Sequence, residues 1–197
     1  MLETWRSFDM PAKQIWGGHV LLVVCCVFYL AWWYVAFRPG AAPGGAKSVV
    51  LLALAAAAGI AGLVMAILGI RDAPHAVTPA LLPGALVLGG GVALYVILLL
   101  VTWLGCKRPV TTELVLIVGW AVLELCALNA LYGGGRLARG PAIAFCWVVA
   151  AAFIISMVCY VLYYKLAAWP GFISGMIPLA TEGLTMALVA VLLLCGG

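Results

Sequence analysis

Six long apolar stretches follow one another along this chain, joined only by short pieces rich in glycine and proline. They cover residues 16–37, 48–70, 80–106, 111–132, 142–164 and 172–195. About 20 apolar residues are what a helix needs to cross a hydrocarbon core of about 30 Å. Each stretch meets that requirement, and at 68% hydrophobic and 8% charged the chain has too little polar surface to coat a soluble domain of 197 residues. A membrane β-barrel would instead show short segments alternating apolar and polar residues, and these runs are apolar on every side. The sequence therefore predicts an all-α polytopic membrane protein, six transmembrane helices in one bundle.

The joints leave no room for an extramembrane domain: Arg38-Pro39-Gly40, the segment from Arg71 to Pro79, Lys107-Arg108-Pro109, the segment from Gly133 to Pro141, and Trp169-Pro170-Gly171. The domain expectation is thus an N-terminal segment, 1–15, lying in the membrane interface through Trp5, Phe8, Ile15 and Trp16, and a six-helix domain, 16–197. Glu3 and Asp9 beside Arg6 and Lys13, ahead of a long first span ending in Trp32, Trp33 and Tyr34, do not read as a cleaved signal peptide. The net charge of +4 comes from single or paired basic residues flanking the spans, so the partner it implies is the lipid bilayer and not nucleic acid. Arg6, Lys13, Arg71, Arg136 and Arg139 fall on one side and Arg38, Lys47, Lys107, Arg108 and Lys165 on the other, so the positive-inside rule chooses no orientation. Short loops without appended domains fit a bacterial cytoplasmic (inner) membrane.

The chemistry-bearing motifs of common enzymes are missing. Seven cysteines form no C-x-x-C pair, and six lie within or at the ends of apolar runs as small hydrophobes; Cys106 alone precedes basic residues, Lys107 and Arg108. His19, near the start of the first span, and His75, in a loop, make no metal or haem pair. Walker, dinucleotide-binding and G-x-S-x-G patterns are lacking too. No catalytic residue, cofactor or metal is expected, and catalysis ranks below transport.

The spans fall into two sets of three with similar spacing, and a shift of 95 residues places Pro83 on Pro178. Three spans per half would invert the second half, the 3+3 inverted-repeat plan in which paired helix interruptions mark a midplane site. The candidate interruptions are Pro83 and Gly84 with Gly89, Gly90 and Gly91 in the third span, and Pro178 in the sixth. Pro178 has no N–H for the carbonyl of Ser174, one turn from Glu182. In the second span Ala55 with Gly59 and Ala58 with Gly62 form small-xxx-small pairs, which bring backbones close within a bundle or between the protomers of a homo-oligomer.

Carboxyl groups are the costly features. A carboxylate at the centre of a span costs roughly 3 kcal/mol on insertion scales, so such a residue usually faces a protein interior or a water-filled cavity and marks a path. Glu182 lies mid-span, with Thr181 and Thr185 beside it; Glu124 lies mid-span with Asn129 nearby. Glu113 stands three turns before Glu124, about 16 Å along the axis, with Trp120 between them on the same face. Glu113 has a structural reading as well, since an acidic residue at a helix start complements the dipole. Glu182, Glu124, Glu113, Asn129, Trp120, Thr181 and Thr185 are the candidate path residues.

In layout, and in the Ala180-Thr181-Glu182-Gly183-Leu184-Thr185 stretch of its last span, the chain resembles the acid-gated urea and amide channel family. It lacks that family's short N-terminus and aromatic-rich final helix, so no pore residue is carried over. The leading expectation is a small transporter or channel for a small solute or cation, proton-coupled through its intramembrane carboxylates. The alternatives are a membrane-embedded enzyme acting on a lipid or quinone, and a noncatalytic subunit of a membrane complex.

Overall fold

A computed structural model describes residues 9–40, 45–73, 80–106 and 111–195. Among them are six helices: α1 (Met10–Phe37), α2 (Ala46–Asp72), α3 (Gly84–Cys106), α4 (Thr111–Gly133), α5 (Arg139–Lys165) and α6 (Ala168–Cys195). All six are long and apolar enough to cross a bilayer. Large apolar side chains cover their outer surfaces, with Leu104 77% exposed, Trp147 73% and Leu184 71%. Such patches would drive aggregation in water, whereas in lipid they face a solvent as apolar as themselves. The protein is an integral multi-pass membrane protein of the all-α class.

Helix ends depart from the apolar runs where local capping chemistry overrides hydropathy. α1 begins at Met10, six residues before the first predicted span, because the Asp9 side chain accepts from the Ala12 amide at 3.2 Å and Pro11 sits in the first turn, where its missing N–H costs nothing. Residues 10–15 are therefore continuous with the span and Asp9 caps it; residues 1–8 of the expected interfacial segment lie outside the described residues. Trp169-Pro170-Gly171, read as a loop, forms the first turn of α6 for the same reason. Only Leu166 and Ala167 then separate α5 from α6. α4 ends in a Schellman motif: Gly135 takes φ +71, its amide donates to the Tyr132 carbonyl, and the Arg136 amide donates to the Leu131 carbonyl at 2.9 Å.

The expected helix interruptions fall at different places in the helices. Pro83 precedes α3, and its carbonyl accepts the first helical bonds from the amides of Leu86 and Val87 at 2.8 and 3.1 Å. Gly84 is the first helical residue, and Gly89, Gly90 and Gly91 lie within unbroken helix. Gly91 is explained by proximity: a Cβ there would run into the Val122 side chain of α4. α6 likewise continues through Pro178, about three turns from its start. The two prolines that coincide under the 95-residue shift thus occupy different places, one before a helix and one inside it.

The chain packs as two compact units. The first holds α1, α2, α6 and the part of α5 from Ile154 onward; the second holds α3, α4 and α5 up to Phe153. In the first unit α1 packs against both α2 and α6. The buried face of α2 carries Ser48, Ala55, Gly62, Ala66 and Gly69, small residues at a spacing of seven with one intermediate step. Here the backbones nearly touch. A Cβ on Gly18 of α1 would stand 2.7 Å from the Ala66 amide nitrogen, and one on Gly69 2.8 Å from the Pro11 carbonyl oxygen. The small-residue face of α2 is thus filled by α1 of the same chain. At one end of this unit Trp33 meets Tyr163 with ring centroids 5.6 Å apart, Tyr34 meets Phe172 at 6.2 Å and Trp169 meets Phe172 at 5.6 Å. Amphipathic rings gathered at one level are what a membrane–water interface selects.

Candidate functional site

Glu182 is the centre of the first unit's polar interior. It is buried, as are Thr185 on α6, Ser156 and Tyr160 on α5, and Cys26 and His19 on α1. Helical spacing explains the gathering. On α6, Ser174, Pro178, Thr181, Glu182 and Thr185 recur at intervals of four, three, one and three, so they share one broad face. On α5, Ser156, Tyr160 and Tyr163 recur at four and three; on α1, His19, Cys26 and Trp33 recur at seven.

The Ser156 hydroxyl donates to Oε1 of Glu182 at 3.5 Å. That is long against the about 2.7–2.8 Å usual for O–H···O, so Ser156 orients the carboxyl more than it clamps it. A Cβ on Gly183 would stand 3.1 Å from Cys26 Cβ, which places α1 directly against α6 beside the carboxyl. Thr181 donates to the Ile177 and Pro178 carbonyls at 3.0 and 2.9 Å, and Thr185 to the Thr181 carbonyl at 2.8 Å. Both hydroxyls therefore spend their hydrogens on their own helix and present lone pairs to the interior. Ser156 is thus the hydroxyl whose hydrogen is directed at the buried acid.

His19 lies deeper in its helix than the apolar run alone suggests. Starting the first span at Trp16 put it near a helix end, but α1 starts at Met10 and His19 is fully buried, its Nδ1 2.7 Å from the Ile15 carbonyl oxygen. Ser156 belongs to no motif of the sequence; its value is as a donor to Glu182. The spacing of His19 from Cys26, seven residues, was the available signal.

The second unit holds the other candidates. Glu124 is fully buried in α4, and Trp120, one turn earlier on the same face, is 7% exposed with no hydrogen-bond partner for Nε1 among the described residues. Glu113 is exposed in the first turn of α4, the position at which an acid complements the helix dipole. Asn129 is committed elsewhere: its Oδ1 accepts from the Leu82 amide at 2.9 Å and its Nδ2 donates to the Leu82 carbonyl at 2.7 Å, pinning the segment that leads into α3. A groove of about 270 Å³ lies between α3 and α4, lined wholly by apolar residues that include Leu86, Gly90 and Val122. On α4 the lining positions are Val118, Ala121, Val122 and Leu125; Trp120 points away from them, and Glu124 lies on the flank, outside the lining. Among the described residues no group of three or more His, Cys, Asp or Glu is arranged to hold a metal ion.

Fold and site together define the class: a six-helix membrane protein with buried carboxyl groups. No protein-family model matches the chain, and no curated protein or solved structure matches it either.

Proposed function

We propose that the protein is a small transporter or channel of a cell membrane, fitting a bacterial inner membrane, that passes a small solute or cation with proton coupling. The observation that carries the reading is Glu182, 7% exposed in the interior of the first unit with Ser156 donating to it. A buried acid is expensive in hydrocarbon, and the hydroxyls near it at helical spacing supply the partners that a moving proton or cation exchanges between. Glu124 with Trp120 forms the corresponding polar position of the second unit, and Glu113, Thr181 and Thr185 complete the set of path residues.

The lipid or quinone enzyme has the α3–α4 groove as its one favouring observation. Its carboxyl would have to act from the groove, and Glu124 is not among the residues that line it. A noncatalytic subunit would also leave Glu182 hydrogen-bonded in its interior, so the deciding measurement is flux. Liposomes containing wild type, Glu182→Gln or Glu124→Gln are followed for proton and cation movement and for uptake of small neutral solutes. Wild-type flux that Glu182→Gln reduces at least about tenfold, a loss of about 1.4 kcal/mol in barrier terms, supports the reading. Flux equal to that of empty liposomes for every probe removes it.

A further inference from the structure

We propose that His19 is a second proton-carrying station on the path through Glu182, with Nε2 the atom that takes the proton. This rests on the transport reading and narrows it: the species moved or co-moved through the first unit is the proton. The geometry begins at the other ring nitrogen. Nδ1 lies 2.7 Å from the Ile15 carbonyl oxygen. A carbonyl oxygen can only accept, so Nδ1 carries the hydrogen, and in the neutral ring the basic lone pair belongs to Nε2. The main chain of α1 thus fixes the tautomer.

Position comes from the α1–α6 seam. Cys26 meets Gly183 and Trp33 meets Gly175, so α1 and α6 run antiparallel with these residues face to face. Seven residues before Cys26, two turns along, His19 returns to the same face, about 10 Å from the level of Glu182. On α6 that stretch of seam passes Met186 and Ala190, both buried, and Ala190, seven residues after Gly183, stands at about the level of His19. The titratable groups around His19 and the seam are few. α6 presents Glu182 and α1 presents Cys25 and Cys26, with Asp9 and Lys13 at its N-terminal end and the Arg71–Asp72 pair of α2 at that same end; α5 presents Cys159, Tyr160 and Tyr163. The buried face of α2 presents none.

The transfer balances. The O–H bond of the protonated Glu182 carboxyl breaks, two or three water molecules at about 2.8 Å spacing relay the proton, and an N–H bond forms at Nε2. Carboxylic acid and imidazole become carboxylate and imidazolium with no change in total charge. The imidazolium then releases the Nε2 proton toward the Asp9 and Lys13 end of α1, and Glu182 is reprotonated from the opposite side.

Asparagine is the informative replacement, because its Nδ2 can donate to the Ile15 carbonyl as Nδ1 does while it takes up no proton. Wild type, His19→Asn, Glu182→Gln and the double variant are reconstituted with a pH-sensitive dye inside the vesicles, and flux is also measured for alkali cations. His19→Asn and Glu182→Gln should each reduce proton flux at least about tenfold, and the double variant should fall little further. His19→Asn passing protons at the wild-type rate while Glu182→Gln does not would overturn the role of His19 and leave the path through Glu182 standing. Glu182-dependent movement of an alkali cation without protons would do the same. Absence of all flux in the wild type would remove both. Should His19→Asn fail to fold, nitrogen NMR of histidine-labelled wild type, assigned against His75→Asn, decides: Nε2 gaining a proton as pH falls supports the proposal, and an Nε2 that never does so overturns it.

Discussion

Replacing Gly62 by alanine should loosen the α1–α2 pair, and the size of the effect follows from where the new methyl would go. Its carbon would stand 2.9 Å from both the Gly18 carbonyl oxygen and the Leu22 amide nitrogen, and 3.0 Å from Leu22 Cγ. Contacts between carbons settle at about 3.5–4.0 Å, so the approach to Leu22 Cγ is short by about half an ångström, and the other two contacts fall on backbone atoms that no rotamer change can move. The helices must separate, at the about 1–3 kcal/mol typical of overpacking. Alanine's better helix propensity returns up to about 1 kcal/mol, and Gly119→Ala isolates that gain, since nothing lies within 4 Å of a Cβ there. The two variants should therefore differ by about 1–3 kcal/mol, with Gly62→Ala the less stable. Unfolding of the purified protein in mixed micelles, titrated with dodecyl sulfate and followed by far-UV circular dichroism, measures the difference. Equal midpoints for Gly62→Ala and Gly119→Ala would refute the backbone-to-backbone contact. Gly18→Ala, whose methyl meets Ala66, should be non-additive with Gly62→Ala because both act on one seam.

Three further outcomes are expected. Asn129→Ala removes both bonds to the Leu82 peptide and should cost about 1–3 kcal/mol, with faster hydrogen exchange at the Leu82 amide; unchanged exchange there would contradict the pinning role. Ser156→Ala deletes the donor to Glu182 and should slow Glu182-dependent flux without abolishing it, so unaltered flux and stability would show that this contact does nothing. Gly135→Val puts a β-branched residue at φ +71 and should destabilise the end of α4 by roughly 1–2 kcal/mol, read in the same micelle titration; a neutral result would mean that the turn relaxes.

The spans were legible because apolar length is the strongest signal a membrane chain carries, and all six stretches are helices. Their ends were less so. Asp9 and Pro11 extend α1 backward through polar residues, and Trp169-Pro170-Gly171 looks like a breaker until it is placed in a first turn that tolerates proline. Gly91 reads as a weak point from propensity alone; only the nearness of Val122 shows why a side chain is absent. Asn129 looked like a path residue, and its partner Leu82 lies 47 residues away, beyond any local pattern. Glu182 and Glu124 stood out from cost alone, and both are buried. His19 and Ser156 did not, because their surroundings are made by helices distant in sequence.

The seam between α1 and α2 also governs what can change shape. Two helices meshed at the level of their main chains behave as one strut: sliding either by a turn would drive Met65 or Leu22 into the space that a missing side chain now leaves. α6 is built differently, with the Ser174 carbonyl deprived of a helical N–H at Pro178. Bending there would carry Glu182, Thr185 and everything beyond as a lever swinging against a stationary post. If the first unit alternates between two exposures of its acid, α6 is the moving part and the glycine-seamed pair is its bearing.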